Sequence, residues 1–457
     1  MNEKPVVLIF MLLALATAAL GQQPAARSDQ SSQANPNLGS EVTLELAGKT
    51  VARIQLAIPE IGGLSTLIPT MKIAVQELES VLTADLENSR IFSIQGPQEL
   101  DTLNLTGDPK RDFDLYRSLQ NKMLLAVAVR QEGELLVLEG VLYDLQSGAS
   151  ILGKRYRGTI DVARRIAHTF SDEIVRYFGF GGRQGISLTS IAFVSDRIKT
   201  NRIKEIFLMD YDGWNQRAIT GHQTISLSPD WGPDSKEVAY VSYFSGAPGI
   251  YLADLISGLK SPVVTSGNLN ISPAYSPDQK RFAFARSLGD GNSEIFVADR
   301  DGSNLKQLTH SSGIDTNPAW SPTGREIAFT SSRSGTPQIY IMDAEGASLR
   351  RITFEGTYND GAEWSPTAAR LVYSARRRGN GFRIASSDVV TLETTLLTRG
   401  QGSHESPTFS PDGMKIAYSM KLGGRTQIMV MDADGSNILQ LTRTGNNYAP
   451  AWSDYPE

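Results

Sequence analysis

From residue 187 to residue 457 the chain repeats itself about every 44 residues, and no other feature restricts its fold so strongly. An aromatic residue followed by Ser-Pro or Gly-Pro recurs at Trp231, Tyr275, Trp320, Trp364 and Phe409, and a last copy reads Trp452-Ser-Asp. The spacings are 44, 45, 44, 45 and 43 residues. A second aromatic recurs in phase at Phe193, Tyr240, Phe284, Phe329, Tyr373 and Tyr418, and a closing threonine at 220, 265, 309, 353, 398 and 442. Each unit holds four runs of strand length. Six units of this size, each too small to bury its own apolar face, predict a β-propeller of four-stranded blades.

Turn chemistry supports this reading. Pro411-Asp412-Gly413 suits the link between a first and second strand. Asp212-Gly213, Asp301-Gly302 and Asp434-Gly435 suit the third-to-fourth hairpin, where a residue with positive φ is needed. The unit containing Phe193 has no aromatic-Ser-Pro strand of its own, because Ser187 in "GISL" stands where the aromatic belongs. The chain ends instead on a spare copy, "APAWSD" at 449–454, which is expected to complete that unit and close the ring without an open sheet edge.

Upstream the period changes. The 457 residues exceed one ordinary core, and a separate α+β domain is expected over 41–180. "VARIQLAI" reads as a strand, and 67–87 as a helix with Met71, Val75, Leu78, Leu82 and Leu86 on one face. A strand at 91–94, a short helix at 112–119 and strands near 123–130, 135–144 and 151–157 follow. Asp161 is expected to cap a last helix running to Phe178, and "GFGGRQG" at 179–185 is a linker. The fold class is therefore two domains, an N-terminal α+β domain followed by an all-β six-bladed β-propeller (187–457) closed by a C-terminal strand.

The first 40 residues carry an address. Lys4 precedes the apolar run Val6 to Leu20, and Ala19-Leu20-Gly21 sets small residues for a cut after Gly21, as in a secretory signal peptide over 1–21. Gln22 to Ser40 is a polar tract without period, expected to be a disordered leader. In Glu41, Val42, Thr43, Leu44, Glu45 and Leu46 polar and apolar residues alternate as in a strand. The chain has no cysteine, which excludes disulfides, thiolate metal sites, thiol nucleophiles and a lipid-anchored N-terminus. Export without cysteine points to the bacterial periplasm. A net charge of −5 argues against a nucleic-acid partner.

No G-x-S-x-G elbow, H-E-x-x-H helix motif or phosphate-binding loop is present. His168 sits on the last helix of the first domain and reads as structural, while His222, His310 and His404 lead into inner strands. "DADG" at 432–435 is a hairpin turn, since it lacks most of the acidic positions of a calcium loop. Arg376-Arg377-Arg378 is either a solvated loop or a contact for an acidic partner. No metal or cofactor site is expected. Five residues before each anchor aromatic stand Ser226, Asn270, Asp315, Asn359, His404 and Asn447. They either cap strand starts or, with Thr316 and Tyr448, ring the channel mouth as a docking funnel.

The repeat "SPDGMKIAYSMKLGGRTQIMVMDADGSNILQLT" resembles the PD40 class of WD40-like repeats. The junction "ARRIAHTFSDEIVRYFGFGGRQGISLTSIAFVSDR" and the opening "VTLELAGKTVARIQLAIPEI" resemble the TolB family of the Tol–Pal system, over residues 41–457. The resemblance implies a monomeric periplasmic adaptor that meets membranes only through its partners. It implies that a Pal-like peptidoglycan-associated lipoprotein binds at the propeller mouth and that TolA engages the strand at 41–46. The competing readings are a periplasmic propeller hydrolase or lyase, and a glycan- or peptide-binding propeller outside Tol–Pal.

Overall fold

The computed structural model describes residues 53–456 apart from 180–182, 199–202, 233, 288, 290 and 378–380. The expected signal peptide, leader and strand Glu41 to Leu46 lie outside the described residues.

The first domain is a five-stranded mixed sheet with two long helices packed together. Its strands are β1 (Ile54–Ala57), β2 (Phe92–Gln95), β3 (Met123–Glu132), β4 (Leu135–Asp144) and β5 (Ser150–Gly158), in the order β2-β1-β3-β4-β5. β1 pairs in parallel with both neighbours, and β3, β4 and β5 form an antiparallel meander. The helices are α1 (Pro69–Asn88), α2 (Pro97–Leu100), α3 (Phe113–Ser118) and α4 (Ala163–Phe178). Pro69 opens α1, where a missing N–H costs nothing. Met71, Val75, Leu78, Leu82 and Leu86 of α1 meet Ile166, Ala167, Phe170 and Ile174 of α4 in one core over the sheet. Gly140 on β4 is the contact point, because a Cβ there would lie 2.3 Å from the Phe170 ring. One expectation fails. Asp161 does not cap α4, since a 3-10 turn, Ile160–Val162, precedes the helix and Val162 takes the cap position without a side-chain bond.

The propeller has six four-stranded sheets. Blades 1 to 5 occupy 226–264, 269–307, 315–351, 358–396 and 403–440. Blade 6 combines Asn447–Trp452, as its inner strand, with 190–218. Asn447 pairs with Ser195 and Trp452 with Ile191, so the spare copy completes the unit that lacks an anchor. All six anchor aromatics are buried between blades. The Trp231 indole N–H donates to the Ala451 carbonyl at 2.9 Å, tying blade 1 to blade 6, and Trp364 donates to Ala319 at 3.1 Å. The Asp-Gly turns do more than supply positive φ. A Cβ on Gly302 or Gly435 would lie 2.3 or 2.4 Å from a carbonyl of the preceding blade, so glycine lets neighbouring blades close up. Blade 4 lacks this turn and uses Leu392 at φ 63° instead.

In each blade the chain runs from the inner strand outward. The starts of the inner strands therefore share one face with the loops between second and third strands. The links between first and second strands and the third-to-fourth hairpins share the other. The first domain holds that second face. Arg90 ion-pairs with Asp432, Arg183 with Asp412 at 3.3 Å, and Arg164 with Asp212, while the Tyr211 hydroxyl donates to Asp85 at 2.5 Å. Among the described residues, these interdomain ion pairs all fall on the hairpin face and none on the mouth face.

Candidate partner-binding face

The mouth face is organised by a kink repeated in every inner strand. Three residues before each anchor stand Ser228, Ser272, Asn317, Gly361, Ser406 and Ala449, all with positive φ between 45° and 62°. The pairing of each inner strand with its neighbour shifts register at this point. Such a bulge inserts one residue and resets the in-out alternation of side chains.

The consequence falls on the six residues at the strand starts. Ser226, Asn270, Asp315, Asn359, His404 and Asn447 are all buried, at 0–2% exposure. The structure does gather them at one face, but their polar atoms are largely committed within the chain. The Asn359 amide donates to Gln338 Oε1 at 2.9 Å and to the Glu355 carbonyl at 2.8 Å. Asn447 donates likewise to Gln427 Oε1 at 3.0 Å and accepts from Arg197 at 3.0 Å. Gln338 and Gln427 in turn accept from the closing threonines Thr353 and Thr442, at 2.8 and 2.7 Å. Those threonine oxygens accept the N–H groups of Ile339 and Ile428. The repeated threonine is thus the foot of a polar ladder inside the blade.

Asp315 accepts from the Ser331 hydroxyl at 2.5 Å and the Arg333 guanidinium at 2.7 Å. Burial still pushes its carboxyl above the usual range, against the pull of both partners. Asn270 donates to the Ser266 carbonyl at 3.0 Å, and His404 stacks on Tyr418 at 5.6 Å. The Ser226 hydroxyl has no hydrogen-bond partner among the described residues. As a set these residues brace the strand starts and do not themselves form the outer surface.

The accessible rim comes from other positions. Thr316 and Tyr448 are half-buried, and the Lys204 ammonium sits 4.6 Å from the Tyr448 ring. Four residues beyond the second-strand aromatics stand Arg197, Phe244, Arg333, Arg377 and Leu422. Phe244 is 61% exposed and packs at a tilt on His222, with ring centroids 4.7 Å apart, and His222 Nε2 pairs with the Tyr240 hydroxyl at 2.8 Å. Arg197 lies 4.6 Å from the Phe207 ring centroid and Arg333 5.2 Å from that of Tyr340, so both guanidinium groups are held over aromatic rings. Arg377 pairs with Glu355 at 2.5 Å, and Arg376 ends a strand, with its side chain exposed. The rim is thus cationic and aromatic. Its signal was present in the repeat as a fixed offset from the second aromatic.

Below the mouth, two acids stand one residue before their anchors in blades 1 and 4, three blades apart and hence opposite. The Asp230 carboxylate accepts the Tyr275 N–H of the next blade at 2.8 Å. Burial pushes Asp230 up to about 7. Burial, with the neighbouring charge of Asp230, pushes Glu363 up to about 8. The equivalent positions elsewhere are Ala274, Ala319, Thr408 and Ala451. Among the described residues, no cluster of three metal-ligating side chains includes either acid.

Comparison with known proteins agrees with this architecture. The family model of the TolB beta propeller domain matches residues 177–456, and that of the TolB amino-terminal domain matches 42–151. The chain is 30% identical over 265 residues to a protein TolB homolog of Chlorobium chlorochromatii, covering 58% of each. It is 34% identical over 264 residues to the Tol-Pal system protein TolB of Desulfosudis oleivorans, covering 57% of this chain and 58% of that one. The matched segment thus spans somewhat more than half the length of these curated relatives. The crystal structure of TolB from Acinetobacter baumannii superposes with a TM-score of 0.74 at 27% identity, covering 89% of this chain and 98% of that one. With both domains matched in order, and the propeller model alone covering more than half of its length, the chain belongs to the TolB family.

Proposed function

We propose that the protein is a periplasmic scaffold of the Tol–Pal system that docks a Pal-like peptidoglycan-associated lipoprotein on the mouth face of the propeller. The segment Glu41 to Leu46, whose alternation suits a strand, engages TolA by adding to a sheet edge. The role is to couple these partners in support of outer-membrane integrity and division, without chemistry of its own. The observation that carries the reading is the division of the propeller between its two faces. The first domain takes the hairpin face, and the interdomain ion pairs leave the mouth face uncovered. What remains there is a rim of held arginines with Phe244 and Tyr448, residue types enriched where binding energy concentrates.

Calorimetry with the periplasmic domain of the lipoprotein tests this. Phe244→Ala combined with Tyr448→Ala is expected to weaken capture by about 2–4 kcal/mol, roughly thirty-fold or more, in a variant whose folding is verified first because Tyr448 also packs on a core cluster. Full-strength capture by the folded double variant would remove the mouth as the docking face.

A further inference from the structure

We propose that the interface between the two domains is a divalent metal site, suited to zinc, formed by His168 Nε2 with the carboxylates of Asp210 and Asp212. His168 comes from α4 of the first domain. Asp210 ends the third strand of blade 6, and Asp212 lies in the hairpin that follows. Donor atoms of all three lie within 4.8 Å of one another, a span one ion can bridge with bonds of about 2.0–2.2 Å after small side-chain adjustments.

The orientation of the imidazole carries the argument. His168 is 4% exposed. Its Nδ1 lies 2.8 Å from Asp85 Oδ2, and Asp85 also accepts from Ser171 Oγ at 2.7 Å and Tyr211 Oη at 2.5 Å. A carboxylate so surrounded by donors is an acceptor, so the Nδ1 proton is assigned from its partner. In the neutral ring Nε2 then presents a lone pair. That atom is buried and has no hydrogen-bond partner among the described residues, with Asp212 Oδ2 at 3.9 Å. Carboxylates on both sides of the ring call for positive charge at this nitrogen, and a metal ion held between Nε2 and the Asp212 carboxylate supplies it as a proton on Nε2 would.

Asp85, by holding Nδ1–H, performs the service that a carboxylate gives a zinc-bound histidine: it fixes the tautomer and raises the basicity of the other nitrogen. Arg164 already donates to Asp212 Oδ2 and to Glu77, and its guanidinium lies 4.3 Å from the Trp214 ring. One guanidinium thus serves Glu77 and Asp212 together, with Asp85 and Asp210 beside them, which leaves negative charge for a further cation. A carboxylate has lone pairs enough to serve a guanidinium and an ion together. A cavity of about 450 Å³, lined by Ser190, Asn215, Gln216 and Arg217, opens beside Asp210. An ion here would fasten α4 to the blade 6 hairpin and set the angle between the domains.

The test is calorimetry on the full mature chain, treated with chelator and titrated with zinc chloride at neutral pH. One equivalent is expected to bind with micromolar or tighter affinity, while magnesium chloride gives no heat. Asp210→Asn, which keeps size and hydrogen bonding, is expected to weaken zinc at least tenfold, and His168→Gln more. Absence of zinc binding by the folded parent overturns the proposal. So does binding that both variants retain, since the ion would then sit elsewhere. A third contrary result would be a nitrogen-15 spectrum with both His168 nitrogens protonated in the presence of zinc, placing a proton where the ion is proposed.

Discussion

At the scale of single residues, the propeller separates side chains that hold the blade from side chains that can meet a partner. Asn359 belongs to the first kind. Asn359→Ala removes one of the two donors to Gln338 Oε1 and the side-chain donor to the Glu355 carbonyl, and is expected to cost about 1–3 kcal/mol in denaturant unfolding. A surface loop residue would cost almost nothing, so an unchanged midpoint would refute the bracing role. Glu363 makes a second case. An acid whose folded pKa lies above its unfolded value of about 4 holds extra protons in the folded state, so stability falls as pH rises from about 4 to about 8. Glu363→Gln is expected to raise the melting temperature relative to the parent near pH 9 and to match it near pH 4. A gap that ignores pH would sink this assignment. The spacing in the chain revealed that the six strand-start residues are equivalent, but not that they are buried. They stand five residues before a buried aromatic, and strict alternation places such positions on opposite sides. The bulge at Ser228 and its equivalents inserts the residue that reverses this, and positive φ at serine or asparagine leaves no plain mark in a sequence.

At the scale of elements, most of the architecture was legible because the same solution is written six times. Anchor aromatic, second aromatic and closing threonine each recur in register in all six units, and the Asp-Gly turn in three, so an error in one unit is corrected by the others. The first domain has no such redundancy, and its end signals are less secure, as the displaced cap before α4 shows. The inner strand Asn447–Trp452 is the element on which closure depends. Trp452 is buried against Ile191 and Phe193, and its indole N–H donates to Thr189 Oγ1 at 2.9 Å. Trp452→Ala is expected to lower unfolding free energy by about 3–5 kcal/mol. Truncation after Thr444 should cost more, by exposing strand edges in addition to losing the ring. A truncated protein that melts with the parent would contradict the pairing of this strand with Ser190–Ser195.

For the whole molecule, the relation between the two domains rests on a linker that is itself fastened down. Asp172 of α4 accepts the N–H groups of Ser187 and Leu188 at 3.0 and 3.2 Å, and a Cβ on Gly185 would lie 1.9 Å from its Oδ1. Gly185→Ala is therefore expected to lift the linker from α4. A docking loss of about 1.4 kcal/mol would raise the rate of limited proteolysis there about tenfold, with the propeller's own thermal transition preserved. Equal cleavage of parent and variant would show that the linker is not held in this way. None of these contacts could be read from the chain in advance, because they join residues with no shared period. The closure of the ring also has a meaning in time. Ser190 and Ser453 meet across 263 residues of chain, so the first propeller strands to be synthesised wait for Asn447–Trp452 before their blade exists. During that interval the nascent protein shows an unpaired edge to whatever holdase or protease stands nearby. A product cut short of Asn447 would keep that edge and mark itself for removal, making the strand Asn447–Trp452 a built-in check that the ring has been completed.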